Sequence, residues 1–160
     1  MINAQEYYEH IQLIERLHRR FLDVLKVELD RHGIQDINNV QSMILFNVGT
    51  DQMTVGELTL RGYYLGSNVS YNLKKMVEND YLSQERSLHD KRSIRIRATD
   101  KGLTLIRQIS VMFDRHVEKI ANSELTPARL GEATQTLKML ERFWASQSDF
   151  SGLSSLDDDF

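Results

Sequence analysis

Hydrophobic positions recur along most of this chain at the three-and-four spacing of amphipathic helices, and in one short stretch they alternate as in a strand. Tyr7, Ile11, Ile14, Leu17, Phe21, Leu25 and Leu29 predict one long helix over residues 5–31, stopped by Gly33. Asn38, with Gln41 three residues on, can cap a second helix whose apolar set is Val40, Met43, Ile44, Phe46 and Val48. Residues 50–53 are a connector that could add a small third strand to the hairpin further along. Thr54 and Glu57 form a capping box for a helix over residues 54–60, and Gly62 and Gly66 supply permissive backbone for the turn after it. Ser67 can then cap a helix running to about Asn79, with Val69, Leu73, Met76 and Val77 as one apolar stripe. Its other face holds Asn68, Ser70, Tyr71, Asn72, Lys74 and Lys75, and is free of acid until Glu78.

Residues 81–86 and 93–97 read as two strands. In the second, Ile94 and Ile96 point one way while Ser93, Arg95 and Arg97 point the other. His89-Asp90-Lys91-Arg92 joins them, giving a hairpin with a cationic tip. Thr99 or Asp100 caps another long helix with two stripes, one of Leu103, Ile106, Phe113, Val117 and Ile120, the other of Leu105, Ile109 and Met112. Thr126 followed by Pro127 starts a last helix, with Leu130, Ala133, Leu137, Leu140 and Trp144 as its stripe. From Ser146 the composition turns to Ser, Asp and Gly, and residues 147–160 are expected to be a disordered tail.

Helix, turn, helix and basic hairpin in that order make a winged helix. The expected fold is therefore mostly α with a small β-wing (α+β). A winged helix-turn-helix lobe over residues 36–98 is flanked by long helices at residues 1–35 and 99–146. Those end helices carry more apolar surface than one small lobe can cover, which a two-fold dimer would resolve. A dimer also sets two recognition helices about one DNA turn apart, matching a pseudo-palindromic site.

The charge distribution changes the picture that the total gives. The chain of 160 residues has a net charge of −3, yet residues 61–101 hold nine basic and five acidic residues and the remainder is −7. Phosphate binding responds to that local basic surface. Lysine and arginine on a hairpin also serve as protection of an exposed strand edge, the bland reading of the same residues. There are no cysteines, which excludes disulfides, thiolate catalysis and thiol redox sensing. The first residues show neither a basic n-region nor an apolar h-region, and no apolar run approaches the ~20 residues that span a bilayer, so the expected location is the cytoplasm and no membrane partner is expected.

Little else in the sequence carries chemistry. His10, His18, His32, His89 and His116 form no metal-ligand spacing, so no metal site is expected and a metal-responsive regulator is a minority alternative. No glycine-rich phosphate loop or nucleophile elbow is present, which argues against an enzyme. A winged helix that binds protein rather than DNA is a further alternative. Asparagine can pair with adenine through two hydrogen bonds, but the sequence does not say whether Asn68 or Asn72 does so.

Over roughly residues 5–146 the sequence resembles the MarR family of bacterial transcription regulators. The resemblance is carried by Val55-Gly56-Glu57-Leu58, Ser67-Asn68-Val69-Ser70, Met76-Val77-Glu78-Asn79-Asp80-Tyr81-Leu82, Asp90-Lys91-Arg92-Ser93 and Arg97-Ala98-Thr99-Asp100-Lys101-Gly102. It implies a homodimer that binds double-stranded, pseudo-palindromic DNA, more commonly a repressor than an activator. It implies base or backbone contacts from Ser67, Asn68, Ser70, Tyr71 and Lys74, with Asn72 and Lys75 on the same polar face. In the wing it implies that Arg92 enters the minor groove and that Asp90 holds the wing in shape; Arg86, Lys91 and Arg95 of the basic hairpin are further candidate contacts. Family members also bind small aromatic acids near the junction of lobe and end helices. Candidates for that role are Phe21, Met43, Phe46, Tyr63 and Tyr64, with Arg20 as a carboxylate partner, and ordinary core packing is the competing role for each. No other cofactor is implied. One departure is the bulky Tyr63-Tyr64 pair in the turn.

Overall fold

The computed structural model describes residues 1–62, 66–89 and 93–149. Its elements are α1 (Ala4–Arg31), α2 (Asn39–Val48), β1 (Met53–Thr54), α3 (Val55–Gly62), α4 (Gly66–Glu78), β2 (Leu82–Arg86), β3 (Ile94–Ala98), α5 (Asp100–Ile120) and α6 (Pro127–Asp149). Helices dominate, and a small antiparallel sheet of order β1-β3-β2 completes an α+β winged helix.

Local chemistry sets most element boundaries. Asn38 and Gln41 exchange side-chain and backbone hydrogen bonds at the start of α2 (Gln41 N to Asn38 Oδ1, 2.8 Å; Asn38 N to Gln41 Oε1, 3.1 Å). Thr54 and Glu57 do the same for α3. Thr99 Oγ1 accepts from Gly102 N at the head of α5, and Thr126 Oγ1 accepts from Arg129 N at the head of α6. The connector contributes the third strand, since Met53 and Thr54 pair with Ile96 and Arg95 of β3.

Two helices end alike. Ile34 N donates to Leu29 O and Gly33 N to Asp30 O after α1; Tyr81 N donates to Met76 O and Asp80 N to Val77 O after α4. Both are Schellman closures, which need one residue in the left-handed region. Gly33 takes it at φ 65° in the first, and Asp80 takes it at φ 63° in the second.

Clustering of the backbone divides the chain into two units, residues 1–113 and 114–160. The first has a single core of Leu25, Leu29, Ile44, Leu45, Val48, Leu58, Val69, Met76, Leu82, Ile96, Leu105, Ile109 and Met112, with smaller contributions around it. The expected stripe of α1 is buried only at its C-terminal end. Leu25 and Leu29 are covered, whereas Leu17 is exposed together with Tyr8, Leu13, Val24 and Val27. In the second unit α6 leaves Leu130, Leu137, Met139 and Phe143 exposed. This helix also continues to Asp149, past the change of composition at Ser146, so residues 147–149 are helical where a disordered tail was expected. Alternating polar residues still permit helix where no Gly or Pro intervenes. Residues 150–160 lie outside the described part.

Candidate nucleic-acid interface

Helix α4 is held by its apolar stripe: Val69, Leu73 and Met76 are buried, and Val77 is partly so. At 3.6 residues per turn the side chain farthest from that stripe is Tyr71. It is 63% exposed, the largest aromatic surface on the helix. Asn68, Ser70 and Lys74 are exposed beside it, and Lys75 is half-buried. Lys75 Nζ lies 3.2 Å from Glu78 Oε2, so the last turn carries a local ion pair rather than a free cation.

Asn72 departs from the expectation. Its Oδ1 accepts from Gln41 Nε2 at 3.2 Å, and its Nδ2 donates to the Asn68 carbonyl at 2.8 Å. Both ends of the amide are engaged, and the residue ties α4 to α2 instead of facing outward. Ser67 lies on α4, but its side chain is outside the described part, as are Tyr63, Tyr64, Asp90, Lys91 and Arg92 altogether.

In the wing, β3 alternates as expected. Ile96 and Ala98 are buried and Ile94 partly so, while Arg95 and Arg97 are exposed. Register divides the cations. Arg86 pairs with Ile94, and Glu85 and Ser83 pair with Arg95 and Arg97. Directly opposed residues share a face, so Arg86 lies on the face of Ile94 and Arg95 on the other. Glu85 opposite Arg95 also moderates the positive charge there.

Between α4 and the wing runs a groove of about 730 Å³, lined by Ser70, Lys74 and Val77 of α4, Val55 of α3, and Gln84 and Ile94 of the sheet. The sequence reading placed Val55 only in a family motif and Gln84 only within a strand. For Gln84 the signal was the strand alternation that sets it opposite Ile96.

A second polar cluster braces the exit of α4. Lys101 Nζ lies 2.6 Å from Asp36 Oδ2 and 2.9 Å from the Asn79 carbonyl, and it stands 4.3 Å from the centre of the Tyr81 ring. The Tyr81 hydroxyl donates to Asp36 Oδ1, and Asn79 Nδ2 donates to the Asp36 carbonyl. The Lys101 hydrogen bond, then that of Tyr81, holds the Asp36 carboxyl below the usual carboxylate range. Burial, then Asp36, pushes the Tyr81 phenol well above its ordinary value.

Comparison with known proteins agrees with this geometry. Residues 37–102 match the family model described as "Winged helix DNA-binding domain". Among solved structures, Staphylococcus aureus MarR in complex with salicylate and kanamycin superimposes with a TM-score of 0.72 at 21% identity, covering 89% of this chain and 95% of that one. A mutant MarR from E. coli complexed with operator DNA gives 0.71 at 17% identity, covering 88% and 99%. These likenesses show the fold. The exopolysaccharide II synthesis transcriptional activator ExpG of Rhizobium meliloti (strain 1021) is 37% identical over 147 residues, spanning 90% of this chain and 74% of that protein. The chain belongs to the MarR family. Its members are transcription regulators rather than enzymes, and the winged-helix lobe is their DNA-binding domain.

Within this MarR-family chain two of the candidate effector residues, Phe21 and Phe46, meet around a third ring. Phe21 stacks on Phe113 at 6.1 Å between ring centres, and Phe46 meets Phe113 edge-on at 5.1 Å. With Met43 they are half-buried against the core, while Arg20 is exposed. Phe113, which the sequence reading placed only on a helix stripe, is the ring that joins them. No helix among the described residues is long and apolar enough to cross a membrane.

Proposed function

We propose that this protein regulates transcription as a homodimer on pseudo-palindromic DNA, in the cytoplasm, with α4 in the major groove and the wing along the backbone or in the minor groove. The observation that carries this reading is the exposed crest of α4. Tyr71, Asn68 and Lys74 stand out from a helix whose opposite stripe is sealed into the core. A protein-docking helix has no need of that polar, acid-poor crest beside a wing bearing Arg95 and Arg97. Exposed apolar side chains on α1 and on α6 supply surface for a partner copy. The wing contacts proposed are Arg86, Lys91, Arg92 and Arg95, with Asp90 supporting them.

A small aromatic acid is the proposed effector class. S. aureus MarR has been crystallised with salicylate, and Arg20, Phe21, Met43, Phe46, Tyr63 and Tyr64 are the candidate contacts here. Binding would act by shifting the population of dimers whose two reading helices match the DNA spacing. The family at large favours repression, but the relative with 37% identity is an activator. That similarity favours activation as the sign of regulation.

The test is anisotropy of a labelled duplex taken from DNA upstream of the protein's own gene, against a scrambled duplex, with excess competitor at near-physiological salt. Preference for the native duplex, saturating at two chains per site, is expected. Equal weak binding to both, followed by failure of genome-wide selection, would leave the protein-binding alternative in its place.

A further inference from the structure

The two asparagines of α4 are equivalent in the sequence and inequivalent in the structure. Asn72 accepts from Gln41 Nε2 and donates one N–H to the Asn68 carbonyl. Asn68, one turn earlier, is exposed, and its side-chain amide has no partner among the described residues. At about 100° per residue, Asn68 stands roughly 60° round the helix from Tyr71 on the outward side. The N-terminal turns of α4 therefore present an exposed amide next to an exposed aromatic ring.

The lysines of the helix share that face, Lys74 beside Tyr71 and Lys75 two turns on from Asn68. Lys75 is paired with Glu78, and Lys74 lies on the flank that borders the groove toward Gln84 and Ile94. No arginine occurs on α4. Guanine is read chiefly by the paired donors of arginine or by lysine, adenine by the donor and acceptor of an amide, and thymine by contact with its methyl group. An amide and a ring, with no arginine beside them and Lys75 held by Glu78, match an A·T pair.

Resting on the DNA-binding reading above, we propose that α4 selects an A·T element in each half-site. Asn68 Nδ2 donates to adenine N7 while Asn68 Oδ1 accepts from adenine N6, and the Tyr71 ring packs on the methyl group of a thymine in the same or the adjacent pair. Lys74 then contacts phosphate, and Asn72 is a positioning residue that fixes α4 on α2.

The full-length protein is first used to enrich duplexes from a random pool. The enriched duplex is then made with 7-deazaadenine, which lacks N7, or with deoxyuracil, which lacks the thymine methyl, at single positions. Asn68→Ala should weaken binding about tenfold, within the range of one lost bidentate base contact. The 7-deazaadenine penalty at one position should vanish in Asn68→Ala and persist in Asn72→Ala, which instead lowers the melting temperature. The deoxyuracil penalty should persist in Tyr71→Phe and vanish in Tyr71→Ala. The proposal is overturned if Asn68→Ala binds as the parent does, if its 7-deazaadenine penalty remains, or if the enriched half-site is G·C throughout. Enrichment of no sequence at all would remove the DNA-binding reading and this inference with it, an outcome distinct from selective binding that ignores Asn68.

Discussion

The Lys101 ammonium and the Asp36 carboxylate lie 2.6 Å apart although 65 residues separate them in the chain. Lys101 is at the head of α5 and Asp36 precedes α2, and between them they hold the Asn79 carbonyl and the Tyr81 hydroxyl where α4 gives way to the wing. Both charged side chains are over two-fifths exposed, so solvent screens the pair. Lys101→Met should lower stability by about 1 kcal/mol at most. Its larger effect is expected on DNA affinity, through a less fixed angle between α4 and the wing. Melting curves and duplex titration of the same variant separate the two.

This contact also sets a pH dependence. The folded-state pKa of Asp36 is depressed, first by the Lys101 hydrogen bond and then by that of Tyr81. Its contribution to stability is therefore complete above the unfolded-state value of about 3.9. It is lost as pH falls through the lower folded value. Asp36→Asn should show a flatter decline of melting temperature than the parent below about pH 4. Parallel curves would mean that the carboxylate is not held in the folded state.

Gly102 is expected to tolerate no side chain. A Cβ there would run into the Tyr81 carbonyl oxygen and crowd Ala98 and Leu45. Since the first obstacle is backbone, it cannot step aside as a side-chain end would. Gly102→Ala should cost about 1–3 kcal/mol, the range of an overpacked core. Denaturant unfolding measures it, with an unchanged slope if the folded state stays compact.

Salt dependence should sort the cations. Lys74→Ala, and Arg92→Ala in the wing tip, should each lower the salt slope of duplex binding by about one ion. Lys75→Ala should lower it less, because Glu78 already sits 3.2 Å from that ammonium. Equal effects from Lys74 and Lys75 would show that the ion pair opens on DNA.

Removal of residues 124–160 should leave a monomer by sedimentation. It would take away α6 with Leu130, Leu137, Met139 and Phe143, the apolar side chains proposed to meet a partner copy. A truncated chain that still sediments as a dimer would move the interface to α1 and α5.

What the sequence revealed and what it withheld divide by distance along the chain. The caps at Asn38, Thr54 and Thr126 were legible because each is a hydrogen bond between residues three apart. The faces of α4 and β3 were legible because periodicity reports burial. The roles of Asn68 and Asn72 were not, since the residue that distinguishes them, Gln41, is 31 positions from Asn72. For the same reason Lys101 and Gly102 stood out as a motif without a mechanism. The division of Arg86 and Arg95 between two faces needed the strand register.

The central strand β3 is locked on both sides, by Met53 and Thr54 on one and by five partners from Leu82 to Arg86 on the other. One further bond, from Ser87 N to the Ser93 carbonyl, closes the ladder. Beyond that rung, Leu88 is almost wholly exposed. A change of hairpin length placed at Leu88, outside the paired rungs, is therefore expected to leave the frame beneath it in place. If the wing contacts DNA as proposed, a lineage carrying this scaffold would retune that contact by changing a few codons, while the core and α4 stay as they are.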